Sequence, residues 1–296
     1  MKKGFSKNRI PWIAAILAFI LLCVIAFDSR MIVRRYEIEA AEVSAPVRIA
    51  LVTDLHSCYY GEGQTTLLGA IDDCAPDLIL LGGDIFDDNM DDTNTETFLA
   101  GVSGKYPCYY VTGNHEYWSE RDAFAAKMAI LEKYGITILS GDCETIEING
   151  DFLNICGVDD PDSYMIQIDM AQDLQGYMEA EIEKYYTFNQ QLDKVSAMTE
   201  NGNYTILLSH RPELFEHYVS RGFDLVLCGH AHGGQWCIPR ILNGLYAPNQ
   251  GLFPQYAGGQ YDSDATTMIV SRGLARESTR LPRIFNRPEL VLVEIR

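Results

Sequence analysis

Five short apolar runs in this chain each close on aspartate, asparagine or histidine, and that repetition restricts the fold more than any other feature. They are VRIALVTDLH (47–56), PDLILLGGD (76–84), PCYYVTGNHE (107–116), NYTILLSH (203–210) and FDLVLCGHAH (223–232). A run of this length without polar alternation reads as a strand buried on both faces. Helical patterns lie between them: QTTLLGAIDDC, TNTETFLAGVSG ending at Gly104, and SERDAFAAKMAILEKYG, with Ser119 as cap and Gly135 just past the end. Further short strands are expected at 136–139, 144–148 and 152–156, and TTMIVSRG and PELVLVEIR close the chain as strands. The alternation predicts one α/β domain of layered sheet and helix. Its polar tips gather at the C-terminal ends of the strands, where such folds place ligands.

The tips carry Asp54 and His56, Asp84, Asn114 and His115, His210, and His230 and His232. Of six histidines in the chain, five lie there, and only His217 lies elsewhere, so they are not scattered core residues. Imidazoles mixed with carboxylates suit borderline divalent ions such as Mn, Fe or Zn. A carboxylate can bridge two ions, and asparagine offers a neutral oxygen. In GHAHGGQW, residues 229–236, the glycines let two histidines two residues apart reach different ions.

The formal charge of −18 argues against a nucleic-acid partner, whose phosphates need Lys and Arg to displace counterions. It leaves room for a phosphate-bearing substrate neutralised locally by bound metal. The eight cysteines form no CxxC pair, which excludes a zinc ribbon or thioredoxin-like motif and leaves any disulfide pairing open. Cys228, at the end of an apolar run, reads as a small buried side chain.

The N-terminus sets a second constraint. Lys2, Lys3, Lys7 and Arg9 precede an uncharged stretch from Ile10 to Phe27. As a helix that stretch reaches roughly 27 Å, close to the thickness of a bilayer core. Residues 1–30 are therefore expected to be a basic flank and a transmembrane signal-anchor, 31–46 a linker, and 47–296 the catalytic domain. The alternative is a signal cleaved after Val24-Ile25-Ala26. The basic first flank puts the N-terminus inside, hence a single-pass protein of the cell membrane with its domain outside the cytoplasm.

The motifs DLH (54–56), GGD followed by IFD (82–87), GNHE (113–116), SH (209–210) and GHAH (229–232) together resemble the calcineurin-like metallophosphoesterases. SHRPE, GHAHGGQ and the RPELVL ending are most similar to a membrane-associated bacterial subgroup, the YkuE and YaeI type. The resemblance covers residues 47 to 296 and implies a four-layer α/β/β/α sandwich. It implies one divalent ion held by Asp54, His56, Asp84 and His232. A second would be held by Asn114, His210, His230 and the bridging Asp84. Such ions, roughly 3.5–4 Å apart, polarise a phosphoryl group and activate a water for in-line attack. His115 would donate a proton to the leaving group, with Asp87 orienting it.

One departure bears on substrate. Serine/threonine phosphatases of this superfamily carry an arginine after the position of Asp87, whereas this chain has Asp88, with Asp91 and Asp92 beyond it. That argues against a phosphoprotein. Arg211 and Arg272 are the candidate phosphate cations. The resulting expectation is a hydrolase of phosphate esters, foremost a phosphodiesterase near the membrane. Its substrate would be lipid-linked or a nucleotide-sugar-lipid of the UDP-diacylglucosamine pyrophosphate type. The alternatives are a phosphomonoesterase of small soluble substrates and, from another class, a non-catalytic scaffold. The intact ligand set and His115 weigh against the scaffold, and no protein partner is inferred. The segment Met165–Met198, with Tyr177, Tyr185, Tyr186 and Phe188, reads as a cap over the site, as a face dipping toward the membrane, or as a surface helix packing its aromatics on the core.

Overall fold

Two six-stranded sheets stack face to face in the computed structural model, which describes residues 10–166, 174–278 and 281–296. In chain order the strands are β1 (Ile32–Ile38), β2 (Val47–Val52), β3 (Leu78–Gly82), β4 (Cys108–Val111), β5 (Thr137–Ile138), β6 (Asp142–Ile148) and β7 (Asp151–Gly157). They continue with β8 (Tyr204–Leu208), β9 (Leu225–Cys228), β10 (Tyr246–Ala247), β11 (Gly251–Leu252), β12 (Gly259–Ser263), β13 (Thr266–Val270) and β14 (Glu289–Ile295). One sheet runs β1-β14-β2-β3-β4-β5 and the other β12-β13-β9-β8-β7-β6, while β10 and β11 form a separate hairpin.

Between the sheets, Ile49, Leu51, Leu80 and Val111 meet Ile155, Ile206, Leu227 and Ile269 in one buried cluster. Helices α1 (Ile10–Ala26), α2 (Thr65–Cys74), α3 (Thr93–Val102), α4 (Asn114–Trp118), α5 (Arg121–Lys133), α6 (Leu174–Met198) and α7 (Phe215–Val219) complete the chain. Leu67 of α2, Phe98 of α3 and Leu131 of α5 cover the outer face of the first sheet. Phe188 and Leu192 of α6 and Phe215 of α7 cover the second. This is the four-layer order of helix, sheet, sheet and helix. Covering both faces of each sheet explains why β3, β8 and β9 are buried at every position and show no polar alternation. The pairs β2–β3, β3–β4, β7–β8 and β8–β9 are parallel, so neighbouring tips leave at the same edge.

Four features depart from or complete the sequence reading. Residues 31–46 are not a plain linker, because β1 lies in register with β14 from Ile32 opposite Glu289 to Ile38 opposite Ile295. Arg34 and Arg35 on this strand concealed it, and charge of that kind is how proteins guard a sheet edge. Helix α5 begins at Arg121 and not at a Ser119 cap; the Ser119 hydroxyl instead donates to the His115 carbonyl. Cys143 and Cys156, opposite each other in the β6–β7 ladder, form a disulfide. Finally, α1 spans 17 residues, one short of the expected stretch, and no described helix is long and apolar enough to cross a membrane. In α6, Phe188 packs into the core while Tyr185 and Tyr186 face outward; Tyr177 lies outside the described side chains.

A chain started at Val47, where the sequence places the domain boundary, should behave worse than one started at Met31. Removing β1 unpairs a seven-residue ladder and uncovers Ile295 and its neighbours. We expect a loss of about 3 kcal/mol or more, which is roughly 6–12 °C in Tm, read by thermal unfolding of the two chains side by side.

Candidate metal centre

The tips of β2, β3, β4, β8 and β9 converge on one buried site. His210 Nε2 lies 3.1 Å from Asp84 Oδ2, and His56 Nε2 lies 3.6 Å from the same oxygen. His232 Nε2 is 3.8 Å from Asp54 Oδ1, and His210 Nε2 is 4.0 Å from it. A group of His56, Asp87 and His115 lies beside two that hold the expected ligands, Asp54 with His56, Asp84 and His232, and Asp84 with His210 and His230; in each, the donor atoms lie within 4.8 Å of one another. Asp84 belongs to both, as a bridging ligand must.

The polar atoms themselves test whether these residues suit a metal. Asp54 Oδ2, His56 Nε2, Asp84 Oδ2, Asn114 Oδ1, His210 Nε2 and His232 Nδ1 are all buried without a hydrogen-bond partner. A buried orphan of this kind costs about 1–3 kcal/mol, so a cluster of them persists only when something else satisfies it. The charge points the same way. Burial pushes the Asp54 carboxyl up, and Asp84 beside it adds to the effect. Burial works against charge on His210 too, but Asp84 and Asp54 override it and raise the imidazole to about 10. Carboxylates this crowded recruit whatever cation is nearest, and imidazolium is the one the chain itself can provide. The residues fit two divalent ions.

Backbone geometry brings the donors together. Asp54, His56, Asp84, His230 and His232 all have φ between 47° and 65°, a left-handed conformation that costs a non-glycine residue about 1–2 kcal/mol. Each ligand-bearing turn is therefore bent out of the ordinary path so that its side chain points inward. Glycine serves a different purpose here. A Cβ on Gly113 would lie 2.2 Å from Asp84 Oδ1, and one on Gly229 would lie 2.5 Å from Asp54 Oδ2. These glycines leave room for the carboxylates.

Outer contacts aim the rings. The His210 Nδ1–H donates to the Gly82 carbonyl at 2.8 Å, which turns Nε2 toward Asp84. Here the structure corrects one assignment. Asp87 does not orient His115: its Oδ2 is 3.8 Å from His115 Nδ1 but accepts from His56 Nδ1 at 2.9 Å. Asp88 accepts from His115 Nδ1 at 2.6 Å. Two turn backbone amides, from Asn89 and Met90, hold Asp87 Oδ1 and so direct its other oxygen to His56. The His115 ring lies tilted against Trp118, with centroids 4.5 Å apart, and its side chain is partly exposed.

The two candidate phosphate cations have other partners. Arg211 is buried, with its fork on Asp160, Asp162 at 3.3 Å and Glu213 at 3.7 Å. Its Nη1 donates to Asn249 Oδ1 at 2.6 Å and lies 3.0 Å from His230 Nε2. Arg272 braces the loop after His232 through Gly233, Asn243 and Asn286. Both guanidinium charges were legible in the sequence, but the carboxylate and carbonyl groups that occupy them come from distant segments.

Two residues at the site had no role in the sequence reading. Glu116, the last letter of GNHE, is fully buried and accepts backbone N–H bonds from Asp84, Ile85, Phe86 and Gly113 at 2.7–3.1 Å. Burial and the nearby Asp84 push its carboxyl up to about 7, against the pull of those amides. Asn249, at the tip of the β10–β11 hairpin, meets His230 Nε2 at 2.8 Å. Its only sequence signal is a turn-forming PNQG.

Comparison with known proteins places these residues in context. Residues 47–234 match the calcineurin-like phosphoesterase family. An "uncharacterized metallophosphoesterase" of Aquifex aeolicus is 30% identical over 224 residues, covering 75% of this chain and 73% of its own. One from Helicobacter pylori is 26% identical over 278 residues, covering 92% of this chain and 66% of its own length. YkuE of Bacillus subtilis is 25% identical, over 84% and 79% of the two chains. Among solved structures, a dimetal phosphatase from Danio rerio aligns with a TM-score of 0.49 at 14% identity, over 77% of this chain and 88% of that one.

Two outcomes follow from the geometry. Glu116→Ala leaves four buried amides unpaired in the loops that carry Asp84 and Asn114, and should cost on the order of 2–4 kcal/mol with a parallel loss of bound metal. The neighbouring aspartates should separate cleanly. Asp87→Asn should weaken metal binding about 10–100-fold, read by metal content after dialysis. Asp88→Asn should keep its metal and slow hydrolysis, most of all for poor leaving groups. Equal behaviour of the two variants would refute the division of roles.

Proposed function

Because the chain belongs to the calcineurin-like phosphoesterase family and is a metal-dependent phosphoester hydrolase, we propose that it is a dinuclear phosphodiesterase working at a membrane surface. The observation that carries the dinuclear reading is the convergence of orphaned donor atoms around the shared carboxylate of Asp84. In this reading Asp54, His56, Asp84 and His232 hold one ion, and Asp84, Asn114, His210 and His230 the other. When bound, divalent ions supply Lewis-acid polarisation of the phosphoryl group and an activated water. The donor set favours Mn, Fe or Zn.

The side chains around that centre divide the remaining work. His115 presents Nε2 to the leaving-group oxygen, and Asp88 at Nδ1 holds the ring in place. Asp87 plays the same supporting part for His56. A diester fits better than a monoester. The Arg211 charge is paired with Asp160, the Arg272 donors are taken by the loop after His232, and Asp88 adds negative potential beside His115, which disfavours a dianion.

The membrane reading rests on α1, whose apolar side chains are exposed, Trp12 at 73%. A bilayer is the environment that covers such a helix. The Cys143–Cys156 bridge supports an oxidising compartment and so a domain outside the cytoplasm. A substrate bearing a lipid chain, including a nucleotide-sugar-lipid, would reach the site from that surface.

Full-length protein reconstituted with Mn, Fe or Zn should hydrolyse bis-p-nitrophenyl phosphate, and p-nitrophenyl phosphate more slowly. His115→Ala should retain both metals and lose about 10²–10⁴ in turnover. Absence of turnover with every metal tested would favour the non-catalytic scaffold.

A further inference from the structure

The segment that follows the GHAHGGQ loop carries an unusual surface. Ile241 is 82% exposed, and Leu252 and Phe253 are 66% and 67% exposed, with Trp236 and Tyr246 also facing outward. Ile241 also lines a cavity of about 550 Å³, together with Leu242 and with Arg34, Arg240, Arg272 and Arg287. None of its lining residues is acidic, in a chain whose net charge is −18. Arg272 is committed to the loop behind the cavity, but Arg240 is exposed and Arg34 is half exposed, with a 3.4 Å contact to Glu289.

Position decides what this surface can meet. The cavity opens at the foot of α1: the Phe285 amide donates to the Ala26 carbonyl at 2.7 Å, and Arg287 lies 3.5 Å from Asp28 and donates to the Arg30 carbonyl at 2.8 Å. Phe285 and Arg287 both line the cavity. An exposed apolar helix thus ends beside a basic pocket whose lining includes the exposed Ile241, in the same segment of chain as Trp236 and Phe253. The same segment reaches the metal centre through Asn249, which touches His230 and Arg211.

We propose that residues 236–253 and the arginine-lined cavity form a docking surface for the anionic headgroups of a bilayer. It seats the domain against the membrane at the base of α1, with the catalytic edge beside the lipid. The proposal rests on the reading that α1 enters the bilayer. Two chemistries are required of the partner at once, negative charge for the arginines and apolar depth for Trp236, Ile241 and Phe253, and an acidic phospholipid surface provides both. A second copy of the chain would offer acid to the arginines but would leave the contiguous surface of α1 uncovered.

The three tryptophans allow a test on the full-length chain. In one protein, Trp118→Phe and Trp236→Phe leave Trp12 to report on α1. In the other, Trp12→Phe and Trp118→Phe leave Trp236 to report on the docking surface. Each is reconstituted into vesicles of phosphatidylcholine, alone or mixed with phosphatidylglycerol, with brominated acyl chains as quenchers. Trp12 should be quenched in both compositions. Trp236 should be quenched in the anionic vesicles, weakly in the neutral ones, and not at all once Arg240→Glu and Ile241→Asp are introduced, while Trp12 quenching persists. Quenching of Trp12 without Trp236 overturns the docking surface and leaves the membrane reading standing. Absence of quenching at Trp12 overturns both.

Discussion

The carboxylate of Asp84 is the point on which the site depends. Its Oδ1 accepts the His115 amide at 2.8 Å, and its Oδ2 faces His210 and His56. Gly113 presses against it so closely that no Cβ would fit. One residue therefore ties β3, β4 and β8 together and belongs to both donor groups. A second buried acid, Glu116, ties down the amides of the same turn. Two buried carboxylates a few ångströms apart repel strongly in a low-dielectric interior, and imidazoles offset this only in part. The arrangement makes physical sense as a cradle for multivalent cations, so metal loading and local stability are one property.

That cradle is held in a strained form. Five of its donor residues adopt left-handed backbone conformations that their side chains disfavour. The inter-sheet core supplies the force that keeps them there. β2, β3, β8 and β9 are buried on both faces, so none can slip or untwist to relax its terminal turn without exposing a row of leucines and isoleucines. Rigid strands with strained tips give donor positions that are fixed before any ion arrives, which limits the reorganisation that binding and catalysis would otherwise require.

The neighbouring carboxylates 87 and 88 show how a second layer divides labour. They are adjacent in sequence and equal in chemistry, yet one holds the buried His56 and the other the partly exposed His115. The turn amides of Asn89 and Met90 decide between them by fixing Asp87 first. At the position after Asp87, where the sequence comparison expects a cation in phosphoprotein phosphatases, this chain has a carboxylate paired with His115. Basic charge is gathered instead at the foot of α1, where Arg34, Arg240, Arg272 and Arg287 line one cavity.

What the sequence determined by itself was the set of strands and the donors at their ends. Buried strands read as unbroken apolar runs, and five of six histidines on four of the five tips are too many to be accidental, so layered sheet, site edge and candidate donors were legible in advance, while the sandwich order came from the family resemblance. Partner choice was not. Asp87 exchanged places with Asp88, Arg211 and Arg272 were claimed by groups such as Asp160 and Asn243, and Glu116 and Asn249 acquired roles no local pattern announces. Strand β1 was hidden by its own arginines until β14, at the far end of the chain, provided an edge to pair with. The physical reason is common to all of them. Burial and periodicity are carried by neighbours along the chain, whereas the direction of a side chain at a turn, and the partner that satisfies its charge, are set by segments that meet only after the sheets have stacked.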